Sequence, residues 1–249
     1  GDGQMYVRGF GFTNTAYVIN GQPVNDMENG RVYWSNWMGL IDLTSSVQIQ
    51  RGLGSTSLAV PSAGGTVSVN TRAAEVDPGS GIKMSIGDNS YQKFTAFHNT
   101  GVNELGWSSS FLLGFWQGDG WRNGMQGEGT TYAFSVGYTP RGGDHEFNFS
   151  LIGAGQWHHQ AYYGTQLQDY LDYGPIQGDD YRKFNALYGD YQGEEFSILR
   201  NYYNKPLATF NWDWEISSRV TLATSLYGSA GRGGGTGLRG RGSYGVSPF

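Results

Sequence analysis

The sequence predicts a mostly β fold whose later strands are long enough to cross a membrane, and three observations support this prediction. Period-two alternation of apolar and polar residues recurs along the chain, whereas the 3.6-residue period of an amphipathic helix is rare. Most alternating segments of the second region have one face rich in Trp, Tyr and Phe. The connections between them are alternately short and long, which is typical of membrane β-barrels.

Composition excludes several classes of protein. The 249 residues contain no cysteine, so there is no disulfide framework and no thiolate metal site. The net charge of -5 gives no general attraction to nucleic acid. Only 15% of the residues are charged and the mean hydropathy is -0.46, which suits strands with one apolar and one polar face. No run approaches the 18 apolar residues of a membrane-spanning helix.

Residues 1–78 form the first predicted region, in which short strands alternate with turns. Residues 16–20 read as an apolar strand, and Asn20-Gly21 predicts a type I′ hairpin turn after it. Two further strands, 47–50 and 66–71, are separated by an Arg-Gly turn and a run of small residues. Such a run allows the backbone to pack closely against a neighbouring surface.

Residues 79–249 form the second region, with longer strands. The predicted strands cover residues 81–87, 92–100, 107–117, 130–139, 145–157, 208–217 and 219–229. A soluble β-sandwich would also show two-faced strands. The aromatic faces, and lengths near the roughly 9–11 residues that cross a bilayer, favour a membrane barrel. Residues 158–205 are predicted to be a long loop, and residues 231–249 show no strand pattern, so the chain reads as the front part of a longer protein.

Three segments of the first region resemble a known family. They read YVRGFG at residues 6–11, AYVINGQPV at 16–24, and VQIQRGLGS at 47–55 with AGGTVSVNTR at 63–72. In content and order they resemble the plug domain of TonB-dependent outer-membrane receptors. The match departs from the family pattern at Asn20, where Asp is usual, at Leu53, where Pro is usual, and after Ser55, where Tyr-Gly is missing.

The resemblance implies a two-part fold. An α+β plug domain, residues 1–78 and incomplete at its N-terminus, precedes the N-terminal part of a transmembrane antiparallel β-barrel, residues 79–249 and incomplete at its C-terminus. Barrels of the family have about 22 strands around a plugged lumen. The resemblance also implies a TonB box upstream of Gly1 and a location in the outer membrane of a Gram-negative bacterium.

The implied function is TonB-dependent active uptake of a scarce extracellular ligand, such as a siderophore, vitamin, glycan or peptide, with the plug gating the lumen. The implied partners are the TonB-ExbB-ExbD complex, outer-membrane lipid and the ligand, and a surface lipoprotein is a further candidate. We expect no enzyme activity, no cofactor and no nucleic-acid partner. GTGLRG at residues 235–240 matches the glycine pattern of a dinucleotide site but lacks the helix that such a site needs. Two alternatives stay open: a barrel that anchors surface partners without transport and, more weakly, a soluble carbohydrate-binding module.

Arg8 and Arg51 head the two Arg-Gly motifs, and in the resembled family such arginines meet glutamates of the barrel wall. A guanidinium suits this role because it binds a carboxylate through two parallel hydrogen bonds and keeps its charge. We expect both to latch the plug to wall strands beyond Phe249; the alternative is that they are ordinary surface arginines. The plug motif glycines are Gly9, Gly21, Gly52, Gly64 and Gly65.

Candidate ligand contacts lie in a plug loop and in the long loop of the second region. The plug candidates, which offer aromatic surface and a polar handle, are Tyr33, Trp34, Asn36 and Trp37. The loop candidates, a polar and aromatic cluster, are His158, His159, Tyr162 and Tyr163. The plug aromatics are equally well explained as packing residues. No metal site is expected, because adjacent histidines on a strand point to opposite faces and the acidic residues lack the spacing of a calcium loop.

Overall fold

A computed structural model describes residues 6–7, 9–52, 62–162 and 164–237, and it confirms the mostly β fold. The described residues before Gly79 form a small unit, which we call the plug. The strands that follow form a large antiparallel sheet, which we call the wall. In the part of the chain that the structure describes, no helix has the length and apolar character needed to cross a membrane.

The plug contains a four-stranded sheet. Its strands are β1 (Thr15–Ile19), β2 (Gln22–Pro23), β3 (Ser46–Arg51) and β4 (Gly65–Asn70). They lie in the order β2-β1-β4-β3, and β1 runs parallel to β4 while the other pairs are antiparallel. Every residue of β1 is buried, so this apolar segment is the centre of the plug. Short 3₁₀ turns lie at Phe12–Asn14, Trp34–Trp37, Leu40–Leu43 and Ala73–Glu75.

Two glycine positions shape this sheet. The turn between β1 and β2 is the predicted one, since Asn20 (φ +50°) and Gly21 (φ +85°) both adopt the left-handed conformation that a type I′ turn requires. At the start of β4, Gly65 has φ +127°, and a Cβ there would overlap the carbonyl oxygen of Gln50 on β3. Only glycine therefore fits at residue 65 without displacing β3.

The wall and the segments inserted into it follow in chain order. They are β5 (Gly79–Ile86), β6 (Gln92–Asn99), β7 (Trp107–Gly118), β8 (Gly127–Tyr138), β9 (His145–His159), α1 (Leu167–Gln177), a 3₁₀ turn (Tyr181–Lys183), β10 (Tyr188–Tyr191), β11 (Glu194–Ser197), β12 (Arg200–Asn204), β13 (Leu207–Ser217), β14 (Val220–Ser229) and β15 (Arg232–Gly235).

The wall strands lie in the order β14-β13-β9-β8-β7-β6-β5, and each neighbouring pair is antiparallel. Beyond the point where β13 leaves β9, β12 pairs with β9 and β15 pairs with β12. Pro206 lies between β12 and β13 and has no N–H to donate, which explains why one long strand is interrupted there.

The prediction of a long loop over residues 158–205 is wrong. This segment contains α1, the β10–β11 hairpin and β12, and β9 itself extends to His159. Likewise, residues 232–235 form β15 although they show no alternation. A glycine-rich strand that pairs at the end of a sheet has no side-chain pattern from which to predict it, because its order comes from backbone hydrogen bonds to β12.

The predicted two-faced character of the wall is present in the structure. Along β8, even-numbered residues such as Phe134 face away from the plug, whereas Thr131, Ala133 and Ser135 are buried against it. On the outward face the apolar side chains are open, and Leu113 is 66% exposed. The wall therefore presents a small, polar inner face to the plug and an apolar outer face.

We expect Gly65→Ala in the full-length protein to destabilise the plug by about 2 kcal/mol, because a Cβ at this φ overlaps the β3 backbone. Hydrogen exchange of the β4 amides should accelerate by roughly thirtyfold. Gly79→Ala is the matched control, since it adds the same methyl group where no atom lies within 4 Å. Equal exchange in the two variants would show that residue 65 is not conformationally restricted.

Candidate functional site

The plug and the wall share one apolar core. Its buried members come from both units: Ile19, Leu40, Leu43 and Val69 from the plug, and Leu112, Ala133, Ile152 and Leu207 from the wall. Around this core the plug backbone lies directly on the wall at Gly39. A Cβ added to Gly39 would approach Thr131 Cγ2 to 2.7 Å, so no side chain fits between them. Most other wall side chains that face the plug are small or polar, so hydrogen bonds make much of the remaining contact.

Asn20, at the tip of the β1–β2 hairpin, is the centre of a buried polar cluster and is 4% exposed. Its Nδ2 donates to Thr71 Oγ1 (2.8 Å) in the plug and to Ser150 Oγ (2.7 Å) on β9. Its Oδ1 accepts from the Thr71 amide (2.8 Å), and its carbonyl oxygen accepts from Asn211 Nδ2 (2.8 Å) on β13. Asn20 therefore ties the C-terminal ends of the two central plug strands, β1 and β4, to two wall strands.

Arg72 forms a second contact between plug and wall, directly after β4. Its guanidinium lies 2.9 Å from Glu146 on β9 and 2.7 Å from Asp213 on β13, with Glu75 at 3.9 Å. Glu146 and Asp213 are directly opposite each other in the sheet, so Arg72 separates two carboxylates that would otherwise repel. Burial lowers the pKa of Arg72, but the hydrogen bond and charge of Asp213, with those of Glu146, outweigh burial and raise it.

Asp42 makes a contact of opposite polarity at the other side of the wall. It lies on the 3₁₀ turn Leu40–Leu43, and its carboxylate meets Lys83 Nζ on β5 (2.6 Å) and Lys93 Nζ on β6 (3.6 Å). The plug thus presents a cation to β9 and β13 and an anion to β5 and β6. This arrangement specifies which side of the plug faces which strands.

A fourth polar contact involves the plug loop that contains the predicted ligand contacts Tyr33, Trp34, Asn36 and Trp37. Gln156 Nε2 on β9 donates to the Ser35 carbonyl oxygen (2.5 Å), and Tyr203 on β12 donates its hydroxyl proton to Ser35 Oγ (2.6 Å). The loop is therefore held against β9 and β12, at the opposite end of β9 from Arg72.

A cavity of about 970 Å³ opens above this loop. It is lined by plug residues, by the ends of the wall strands and by the segments that connect them. Its aromatic, amide and imidazole side chains include Tyr33, Asn36, Asn89, Tyr91, Trp116, Trp121, Gln156, His158, His159, Gln160, Asn201, Tyr202 and Tyr203. Charged groups are few, namely Asp88, Lys205 and Arg232. The volume lies in the range of small-molecule sites, and the lining combines stacking surfaces with hydrogen-bonding groups.

The structure brings only some of the predicted ligand contacts together. Four of them line the cavity: Tyr33, Asn36, His158 and His159. Trp34 and Trp37 instead pack on the two apolar clusters of the plug, and Trp34 meets the Tyr17 ring edge-on at 5.2 Å between centroids. Tyr162 is about half exposed, and its carbonyl oxygen accepts from Arg122. Tyr163 lies outside the described residues.

The predicted latches are not seen in contact with the wall. Arg8 lies outside the described residues, and Arg51, at the end of β3, is exposed and forms no ion pair among the residues that the structure describes. Since the expected partners lie beyond Phe249, the latch role of both stays a prediction. Of the plug motif glycines, positive φ values occur at Gly9, Gly21, Gly52 and Gly65, and a Cβ on Gly64 would approach Thr15 Oγ1 to 2.7 Å.

The segment between β9 and β12 is packed against the β7–β8 connection by a buried asparagine. Asn185, which is 0% exposed, donates to the Asn123 carbonyl oxygen (2.9 Å), and its own carbonyl oxygen accepts from Gln177 at the end of α1 (2.9 Å). Beside it, burial and a hydrogen bond with Glu195 raise the pKa of Tyr188 to about 12. The β7–β8 connection and the segment between β9 and β12 therefore pack against each other beside the cavity.

The contacts made by Asn20, Arg72, Asp42 and Ser35 were not predicted from the sequence. A usable signal existed for Arg72, because Glu146 and Asp213 are acidic residues on the small, polar faces of otherwise aromatic strands. An acidic residue on a face that packs against another domain needs a cation, and Arg72 ends the strand that leads into the wall. For Asn20 and Ser35 the sequence offered no pairing partner in the wall, since their wall contacts are 120 or more residues away.

Solved structures show which proteins share this fold. The siderophore receptor PiuA from Acinetobacter baumannii matches with a TM-score of 0.62 and 13% identity, over 93% of this chain and 31% of that one. The open form of the ferric-catecholate import receptor Fiu from E. coli K12 matches at 0.64 and 17% over 92% and 33%. The unliganded ferric citrate transporter FecA matches at 0.62 and 15% over 92% and 33%.

These likenesses confirm the fold that the sequence resemblance implied, a plug followed by part of an antiparallel β-barrel. The chain spans about a third of the length of the structures it matches. No protein-family model matches the sequence, and no curated protein matches it significantly.

We expect Arg72→Gln in the full-length protein to weaken the plug–wall contact by about 2 kcal/mol, because two partly buried carboxylates lose their shared cation. This free-energy cost is smaller than the cost of breaking a fully buried ion pair, since the Arg72 side chain is 23% exposed. Limited proteolysis of the plug should accelerate by roughly thirtyfold.

The matched control is Arg141→Gln, which removes an exposed arginine from the β8–β9 turn. Combining Arg72→Gln with Glu146→Gln and Asp213→Asn should restore part of the resistance, because the repulsion is also removed. Equal cleavage of the Arg72 and Arg141 variants would contradict the assignment.

Asn20→Leu should cost about 3 kcal/mol, since it leaves several buried hydrogen-bonding groups unsatisfied and places a branched side chain at positive φ. Asn20→Asp should cost much less, because the hydroxyls of Thr71, Ser150 and Thr209 can turn to donate to a carboxylate. The exchange rate of the Thr71 amide measures both effects. An Asp variant as damaging as the Leu variant would refute the cluster's proposed adaptability.

Proposed function

We propose that this chain is the plug and the first wall strands of a TonB-dependent outer-membrane transporter, which takes up a scarce extracellular ligand while the plug gates the lumen. The observation that carries the proposal is the two-faced wall. One face holds a plug through hydrogen bonds and ion pairs, and the other face is apolar and open. A barrel that is surrounded by lipid and filled by a domain requires both faces at once.

The outward face supports placement in a bilayer. Between the paired rows of Tyr138–Phe147 and Glu128–Trp157, the outward positions of β7, β8 and β9 hold no Asp, Glu, Lys or Arg. Phe147 and Trp157 are ten positions apart, which corresponds to roughly 33 Å along the strand and, at a tilt of about 40°, to roughly 25 Å of thickness. That thickness equals the apolar band of an outer-membrane barrel.

A continuous row of aromatic rings marks one border of this band. Trp107 stacks on Tyr138 at 4.4 Å, Tyr138 on Phe147 at 6.4 Å, and Phe147 on Trp212 at 6.2 Å between centroids. Trp214 continues the row at 6.1 Å from Trp212. Aromatic girdles of this kind lie at the membrane interface, and this one lies beside the short turns, so we assign it to the periplasmic side.

The plug contact is suited to gating. Apart from one apolar core, the contact consists of side-chain hydrogen bonds and ion pairs in a polar lumen, where water can replace each partner. Such a contact breaks at a lower cost than an apolar interface of the same size. The TonB-ExbB-ExbD complex would supply the force, and the cavity above Ser35 and Asn36 would hold the ligand on the extracellular side.

The names of the similar solved structures supply the first candidate ligands for this chain. PiuA and Fiu are named as siderophore and ferric-catecholate receptors, and FecA as a ferric citrate transporter. Ferric chelates are therefore the first probes to test, followed by vitamins, glycans and peptides. We propose no catalytic role for the chain.

The test is uptake by cells that lack the gene and carry it back on a plasmid as the full-length protein. Cells are given ⁵⁵Fe-loaded catecholate or citrate chelates, then single vitamins and oligosaccharides, as growth-limiting nutrients. We expect the wild-type protein to restore accumulation of at least one probe, and deletion of the energising complex to abolish this.

The control is a variant with the cavity altered by Asn36→Ala and Tyr33→Ala, which should lower uptake at limiting ligand while the protein stays folded in the membrane. Surface binding of a partner protein with no uptake of any probe would instead support the non-transporting receptor.

A further inference from the structure

An exposed apolar ridge runs along α1, in the segment between β9 and β12. Leu167, Leu171 and Pro175 follow one another at four-residue spacing, so they lie along one side of the helix. We call these three residues the α1 ridge. Leu167 is 73% exposed, Leu171 is 49% exposed, and Pro175 is exposed as well.

A different side of α1 holds the helix in place. Tyr170 and Tyr173 lie on that side, and their rings pack on Phe184 at 5.8 and 6.1 Å between centroids. From the β7–β8 connection, the Arg122 guanidinium lies over the Tyr170 ring at 5.7 Å. The packing of α1 within its own segment therefore does not use the ridge.

The β10–β11 hairpin, which follows α1, exposes a second apolar group. Tyr191 and Phe196 contact each other at 5.7 Å between ring centroids, and they are 61% and 50% exposed. Gln177 Nε2, at the end of α1, donates to the Tyr188 carbonyl oxygen (2.8 Å) at the start of β10, so the helix and the hairpin are joined at their base. Grouped exposed apolar side chains of this kind indicate a surface that binds a partner.

The segment that carries these apolar groups also carries the net charge of the chain. Residues 160–199 contain two basic residues and seven acidic ones, a net charge of -5, which equals that of all 249 residues. Among the residues that the structure describes, only one of the seven acids forms an ion pair, Asp180 with Arg182. The acids are Asp169, Asp172, Asp179, Asp180, Asp190, Glu194 and Glu195.

We propose that the α1 ridge is the docking surface for a protein partner whose own surface combines apolar side chains with lysine or arginine. The partner's apolar groups cover Leu167 and Leu171, and its cations meet exposed carboxylates such as Asp172 and Asp179. The buried apolar contact supplies most of the affinity, and the opposite charges orient the partner and speed its association.

The partner binds outside the cell, and this part of the inference rests on the membrane placement of the proposed function. The segment follows His159 at the end of β9, whereas the aromatic row lies at the other end of that strand, beside His145 and Phe147. The row is assigned to the periplasmic side, so the α1 ridge lies on the extracellular side.

Charge complementarity selects this partner among the possible occupants. A second copy of the chain would bring another net charge of -5 against this one. A lipid surface rich in phosphate is negatively charged, so the same carboxylates would repel it. A further part of the same chain would cover residue 171 and prevent it from reaching another molecule, which cross-linking from that residue detects.

The test is site-specific photo-cross-linking in living cells of the native host, in which the full-length protein carries p-benzoylphenylalanine in place of Leu171. The matched control carries it in place of Leu105, which is 66% exposed in the turn between β6 and β7, at the other end of the wall. Two neutralised acids, Asp172→Asn with Asp179→Asn, test the charge. Their control is Glu104→Gln, an exposed acid in the same turn as Leu105.

We expect a protein adduct at residue 171 that is missing at residue 105. The captured protein, purified and titrated against the full-length receptor, should bind about tenfold more weakly to the double Asp variant, and also to the wild type when NaCl is raised from about 50 to about 500 mM. Leu167→Gln with Leu171→Gln, which keeps good helix formers, should weaken binding at least tenfold. Glu104→Gln should leave it unchanged.

The proposal is overturned if residue 171 gives no protein adduct, if the adduct joins two copies or two parts of the chain, or if the captured protein binds the double Asp variant as tightly as the wild type. Failure of the proposed function gives a different result, because neither Leu167 nor Leu171 lines the cavity. Nutrient uptake without a captured partner retains transport and loses the docking surface. A captured partner without any uptake by the wild type retains the docking surface and loses transport.

Discussion

The period-two alternation of the wall strands is the constraint on which the rest of this structure depends. Because successive side chains point to opposite faces, each strand places large apolar groups on one face and small or polar groups on the other. A slip of one residue would place Phe134 or Phe149 against the plug and Thr131 or Ser150 on the outer surface. Apart from one shared apolar core, the inner face therefore receives the plug through polar contacts and close backbone approach.

The plug satisfies this constraint with contacts of different kinds at different places. Asn20 fits a buried cluster of hydroxyl and amide groups, Arg72 neutralises a carboxylate pair, and Asp42 meets two lysines on the far side. None of these requires a continuous apolar interface, which would hold the plug permanently. The distribution of charge also favours one orientation of the plug within the wall, in which the loop with Ser35 and Asn36 faces the cavity.

The strands and the hairpin turn were predictable because they depend on local rules. Asn20-Gly21 specified its own turn, and the faces of β7, β8, β9 and β13 were readable from alternation. The segment that contains α1 and β10–β12 was not predictable. Its folded structure depends on contacts such as that of Asn185 with Asn123, 62 residues away. Trp34 and Trp37 show the same limit: an aromatic residue suits a ligand site and a core equally, and only tertiary packing distinguishes them.

A reversible cross-link between plug and wall tests the central claim most directly, and these 249 residues contain no other cysteine with which the introduced pair could react. A Cβ on Gly39 would lie 3.6 Å from Thr131 Cβ, within the roughly 3.5–4.5 Å of a disulfide. With Gly39→Cys and Thr131→Cys, we expect oxidised full-length protein to bind the nutrient but not to import it, and reduction to restore import, while the Thr131→Cys single variant, which keeps Gly39, stays active under both conditions. Unchanged import by the fully oxidised protein would contradict the account of a plug that must move from the wall.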